Sequence, residues 1–199
     1  IKDLAGSDNL PPARPRPAQP APTPCGPPSP AWQARGLAFM ETCEAALWSS
    51  TGARALTWLR GRGLTDDTIK YYRLGYNQGA KERESCAAWG LPDDSKDNGI
   101  WLPRGVIIPW LIGGALWAVH IRQPVGAPKY IFVSGSQVGL FGADNLAGCE
   151  IALLTEGEFD CMLADQWVYD KAGGITLGGA QKRLDLATWG VYLLPVRAI

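Results

Sequence analysis

Hydrophobic positions along the chain change period twice. From Gln33 to Trp48 they recur at helical spacing, with Leu37, Met40, Leu47 and their alanine neighbours forming one stripe. Ser29-Pro30 supplies a cap and a first helical position for that helix. A second helix is predicted over Ala53 to Arg60, stopped by Gly61-Arg62-Gly63. Thr65 caps a third, which opens on Asp66-Asp67 and ends near Gly75. Beyond a polar stretch from Gln78 to Asn98 the pattern becomes strand-like. Gly105 to Trp110 and Leu116 to Ile121 flank Gly113-Gly114 as a hairpin. A second change comes at Ile151, where an apolar run short enough for a buried strand ends at Glu156-Gly157. A helical face then begins with Phe159, Met162, Leu163 and Trp167. Gly173 to Ala180 reads as turn, short buried strand and tight turn, and Val191 to Leu194 as the start of another strand.

These elements predict an α/β fold in which a small helical subdomain precedes a mixed sheet. The corner at Ile151 to Asp160 organises the rest. Ligands of open α/β sheets bind beyond the carboxyl ends of the strands, and Glu156 stands at that edge with Asp160 one helical turn on. Two carboxylates so placed suit a hard divalent cation. The plainer reading is that Glu158 and Asp160 complement the positive end of a helix. The glycines of 173–179 carry two readings as well, backbone N–H groups approaching a phosphate or a close strand-helix junction.

Composition narrows this picture. The 199 residues are 46% hydrophobic and 19% charged, ordinary globular material for one core and a satellite. Acids and bases balance at 19 each, so any nucleic-acid binding must come from a local patch. No apolar run reaches the length of a membrane span and no signal-peptide pattern opens the chain, which predicts a soluble cytoplasmic protein without a membrane partner. Cys25, Cys43, Cys86, Cys149 and Cys161 form no Cys-x-x-Cys pair, so no zinc site is expected in this chain. His120 lies in an alternating strand pattern and reads as a packed or surface side chain rather than a ligand. Pro11 to Pro30 holds ten of the 16 prolines and reads as an extended linker. The start at Ile1 rather than Met leads us to expect a piece of a longer protein.

Several stretches then combine. Ala55-Leu56-Thr57-Trp58-Leu59-Arg60-Gly61-Arg62-Gly63-Leu64-Thr65 is followed by Tyr72-Arg73-Leu74-Gly75-Tyr76. Further on come Pro128-Lys129-Tyr130, Leu140-Phe141, and Leu153-Leu154-Thr155-Glu156-Gly157-Glu158-Phe159-Asp160. In this order they resemble the catalytic core of bacterial DnaG-type DNA primases, over roughly Phe39 to Gly179. The resemblance implies an amino-terminal subdomain over 31–148 after a linker over 1–30, and the first part of a truncated, Rossmann-like TOPRIM domain over 149–199. It implies Glu156 as general acid/base or metal ligand, Asp160 as a second ligand of Mg2+ or Mn2+, and Arg122 and Lys129, with Arg104 as a weaker candidate, holding template or nucleotide phosphates. Solvated surface charge is the plain alternative for these bases. The implied partners are single-stranded DNA and nucleoside triphosphates, with a replicative helicase as a further partner. The family's Asp-x-Asp and its zinc ribbon have no counterpart in the sequence. The chain is therefore expected to bind single strands without polymerising. The alternatives are a non-catalytic nucleic-acid-binding replication module or another TOPRIM nuclease or topoisomerase relative.

Overall fold

The computed structural model describes residues 26–79, 83–93, 99–168, 171–179 and 182–199. Helix α1 spans Pro30–Leu47, and the Ser29 hydroxyl accepts from the Trp32 amide at 3.3 Å. Its buried stripe is Trp32, Gly36, Phe39, Met40, Cys43 and Leu47. Two short helices follow, α2 (Ala53–Gly61) and α3 (Asp66–Tyr71), with the Thr65 side chain capping the latter. α3 stops short of the expected end near Gly75. Arg73 takes a left-handed φ of 51°, which turns the chain out of the helix. A two-pronged ion pair to Glu44, at 3.1 and 2.7 Å, holds that residue against α1.

Four antiparallel strands come next in the spatial order β1-β4-β5-β6: β1 (Gly75–Asn77), β4 (Gly105–Ile112), β5 (Ala115–Arg122) and β6 (Tyr130–Phe132). A small ribbon of β2 (Arg83–Glu84) and β3 (Ile100–Trp101) lies beside them. The hairpin turn is Gly113-Gly114, at φ of 59° and 77°, the left-handed geometry that matches strand twist in a two-residue loop. Both faces of the hairpin are covered. Ile107, Val119 and Ile121 pack with Phe39 and Met40 of α1, whereas Val106, Ile108 and Trp110 join a second cluster with Leu59 and Ile69. That second cluster continues into Phe159, Cys161 and Met162, so the hairpin is the shared wall of the molecule.

The third part is a parallel pair, β7 (Ile151–Thr155) and β8 (Ala172–Thr176), joined through α4 (Glu158–Val168). Helices precede strands as expected, and the strand-turn-helix at 151–168 is present, but β7 is not the buried strand expected: Ile151 and Leu154 are exposed and only Ala152 is buried. A Cβ at Gly173 would stand 2.4 Å from the Asn145 carbonyl oxygen, and one at Gly174 would stand 2.6 Å from that of Cys161. These two glycines are therefore a close junction rather than a phosphate loop.

Two expectations are corrected. Val191 to Leu194 does not begin a strand, because α5 occupies Leu186–Leu193. Asp185 caps it, accepting from the Ala187 amide at 3.0 Å, and Trp189 packs on Trp117 with ring centroids 4.7 Å apart. Trp167 is also off the buried face, being 77% exposed. Eight residues after Phe159, at about 100° per residue, it has drifted roughly 80° around α4. Gln166 takes that face instead, donating to the Gly63 carbonyl at 3.0 Å and accepting from the Thr65 amide at 2.9 Å. The linker expectation falls mostly outside the described residues, although Pro28 is buried and its carbonyl accepts from the Gln33 side chain at 2.8 Å. Among the described residues no helix is long and apolar enough to cross a membrane.

Candidate functional site

The acidic corner is built by the end of β7. The Thr155 hydroxyl lies 3.2 Å from the carbonyl oxygens of both Gly157 and Ile175, which holds the turn against β8. Glu156 follows immediately and is exposed, and so is Asp160 in the first turn of α4. Glu158, between them, turns inward. His120 Nδ1 lies 2.5 Å from its Oε1, and Trp110 Nε1 donates to the same oxygen at 3.2 Å. Burial alone would push the Glu158 carboxyl up; the His120 hydrogen bond and charge, with help from Trp110, outweigh it and hold the group below its ordinary value. Glu158 is thus a buried, bonded anion; it stands in the first turn of α4, as the plainer reading has it, and takes His120 as its partner besides. His120 is packed, its ring stacked on Phe132 at 3.9 Å, but the sequence had no local signal for its acidic partner.

Glu156 and Asp160 have the hard oxygen donors that Mg2+ or Mn2+ prefers. Among the described residues, however, no group of three His, Cys, Asp or Glu side chains is placed to hold a metal ion. Two exposed carboxylates do not by themselves make such a centre.

A basic cleft of about 440 Å³ lies where α2 faces the starts and ends of the hairpin strands. Arg54, Trp58, Tyr76, Arg104 and Arg122 line it, Pro124 and Val125 form part of its wall, and among the described residues no Asp or Glu contributes. The contrast with other arginines is sharp. Arg35, Arg60, Arg73 and Arg197 are each paired with a carboxylate, whereas among the described residues Arg54, Arg62, Arg104 and Arg122 have none in ion-pair range. The guanidinium of Arg122 sits 4.0 Å from the Trp58 ring centroid, and its Nε is buried without a hydrogen-bond partner among the described residues. Arg62 packs 5.4 Å from the Trp58 centroid and 4.8 Å from that of Phe159. Trp58 and Phe159 meet edge-on at 5.4 Å, which links the cleft to the helix that carries Asp160.

Of the bases expected from sequence, Arg104 and Arg122 come together in this cleft. Lys129 does not line it; it is exposed just before Tyr130, the cross-strand partner of Arg122. Sequence reasoning missed Arg54 and Trp58 of the cleft and Arg62, the C-cap of α2 beside Trp58, although their i, i+4, i+8 spacing was a usable signal.

No protein-family model and no curated protein matches the sequence. Solved structures do match. A DnaG primase catalytic domain bound to single-stranded DNA aligns at a TM-score of 0.64, with 15% identity, over 84% of this chain and 59% of that one. A DNA primase domain from Pseudomonas aeruginosa aligns at 0.60, with 22% identity, over 82% and 59%. The RNA polymerase domain of Mycobacterium tuberculosis primase DnaG, in complex with double-stranded DNA, aligns at 0.62, with 17% identity, over 82% and 60%. The chain spans about three fifths of the length of these structures. At such identities the likeness is one of architecture, and on that basis the chain has the fold of the DnaG primase catalytic core.

Proposed function

We propose that the chain is a primase-like part of the DNA replication machinery, a portion of a DnaG-type nucleotidyltransferase core that makes RNA primers on single-stranded DNA in the cytoplasm. The observation that carries this reading is the carboxylate-free cleft of Arg54, Arg104 and Arg122 on a primase-core fold. Guanidinium groups match phosphate oxygens with two parallel hydrogen bonds, and arginines lacking an internal counter-ion gain most from doing so. In this reading 31–148 is the amino-terminal subdomain and 149–199 the opening of a TOPRIM domain. Its corner contributes Glu156 as general acid/base and Asp160 beside it, carboxylates of the kind that Mg2+ or Mn2+ suits. Lys129 adds a peripheral phosphate contact. Nucleoside triphosphates and a replicative helicase are the further partners of such a core.

What these residues do by themselves is bind. A strand laid in the cleft releases counter-ions as its phosphates meet the arginines, so log affinity should fall linearly with log salt, by about 0.7 per phosphate contact. The test is to titrate single-stranded DNA into the chain at several salt concentrations, then repeat with Arg104→Ala and Arg122→Ala. Each variant should bind more weakly and with a shallower slope. Binding indifferent to salt and to both arginines would sink the reading.

A second reading, a non-catalytic nucleic-acid-binding module, is favoured by one observation. The cleft carries its own arginines, while the acidic corner offers two exposed carboxylates with no third donor placed beside them among the described residues. Primer synthesis on a single-stranded template by the longer protein of which this reading makes the chain a portion, compared with its Glu156→Gln form, decides between the two.

A further inference from the structure

Aromatic side chains in a single-strand groove ordinarily serve as stacking platforms for bases. Both aromatics of this cleft are already engaged. Trp58 carries the guanidinium of Arg122 at 4.0 Å from its ring centroid, with Arg62 at 5.4 Å and the edge of Phe159 at 5.4 Å. Tyr76 accepts a hydrogen bond from Arg104 Nε on its hydroxyl oxygen at 2.8 Å. Trp58 thus seats Arg122 on its ring and Tyr76 holds Arg104 through its hydroxyl, and neither of these two arginines has a carboxylate in ion-pair range among the described residues.

Resting on the nucleic-acid reading above, we propose that Trp58 and Tyr76 are positioning residues. They hold Arg122 and Arg104 ready for backbone phosphates, so the cleft takes a nucleic-acid backbone without reading or stacking its bases. The physical reason is preorganisation. A free arginine loses side-chain entropy when it grips a phosphate, and a guanidinium already seated on an aromatic face has less left to lose. Arg122 shows the cost of that seat: its Nε is shut away from solvent and has no hydrogen-bond partner among the described residues. A guanidinium with one N–H already out of water gives up less hydration to an incoming anion than a fully hydrated one does.

The experiment compares oligothymidylate with an abasic strand of the same length, at fixed salt, for the unaltered chain and for Trp58→Ala, Trp58→Phe, Tyr76→Phe, Arg104→Ala and Arg122→Ala, with the doubles Trp58→Ala/Arg122→Ala and Tyr76→Phe/Arg104→Ala. Both strands should bind alike. Trp58→Ala should weaken both equally, by roughly two- to twelve-fold, the cost of immobilising one long side chain on binding. Trp58→Phe should restore most of that loss. Neither aromatic variant should add to the loss in the background of its own arginine variant. Tyr76→Phe removes a single oxygen at a half-buried position, so it tests the assignment even if Trp58→Ala fails to fold. A loss confined to the base-bearing strand, or losses that add in the double variants, would overturn the assignment while leaving the binding reading intact. Failure of the unaltered chain to bind either strand would overturn both.

Discussion

His120 Nδ1 and Glu158 Oε1 lie 2.5 Å apart across 38 residues of sequence, and both side chains are buried. The pair pins the start of α4 to the central hairpin, directly behind the turn that presents Glu156. Removing His120 leaves the buried Glu158 carboxylate short of a hydrogen-bond partner, which costs about 1–3 kcal/mol. His120→Ala should lower unfolding stability by that order in urea at neutral pH, and a loss under about 1 kcal/mol would show the pair to be energetically idle.

The same pair sets a pH dependence. Because the Glu158 carboxyl is held below its ordinary value of 4.5, its contribution to stability is fully present above that pH and is lost as pH falls through the lower folded value. Urea midpoints should decline as the solution is acidified below 4.5. Glu158→Gln should be less stable at neutral pH and should lack this component of the acid decline.

Two glycine substitutions should move stability in opposite directions. A Cβ at Gly174 would meet the Cys161 carbonyl oxygen at 2.6 Å, a backbone atom that cannot step aside, so Gly174→Ala should cost about 1–3 kcal/mol. Gly190 lies within α5 with nothing inside 4 Å of an added Cβ, and Gly190→Ala should stabilise by roughly 0.5–1 kcal/mol. Thermal midpoints of the two variants check both signs.

Arg73 combines a left-handed φ of 51° with its ion pair to Glu44. Alanine and glycine there both lose the pair, but only alanine keeps the steric cost of the conformation. Arg73→Ala should therefore be less stable than Arg73→Gly by about 1–2 kcal/mol. Equal stabilities in urea would show that the backbone carries no strain.

For the site itself, Glu156→Gln should leave single-strand affinity within about two-fold of the unaltered chain, since phosphate contacts supply the binding. Lys129→Ala should weaken binding less than Arg122→Ala does, because Lys129 stands outside the cleft lining. The chain alone should form no primer on a single-stranded template. Nucleotidyl transfer needs charge stabilisation at the transferring phosphate, and Glu156 with Asp160 offers too few donors for it. Robust primer synthesis would contradict this.

Local physics settled much of the molecule before any packing was known. Ser29 and Thr65 cap helices because a short polar side chain meets an amide two or three residues on, and Gly113-Gly114 makes a hairpin because both positions need positive φ. The run from Ile151 to Asp160 places Glu156 after a strand for the same short-range reason, and Arg104 and Arg122 flank the hairpin in the sequence as they flank the cleft in space. Tertiary structure decided the rest. Nothing near His120 or Glu158 announces a buried pair, because their meeting depends on how β5 and α4 dock. Val191 to Leu194 has strand-like residues, yet the capped helix that seats Trp189 on Trp117 overrides that preference. Arg54, Trp58 and Arg62 stand at helical spacing in the sequence, but only the approach of Arg122 from β5 makes that face one wall of a cleft. A periodicity shows which residues share a side; what lies opposite them is fixed by contacts between elements far apart in the chain.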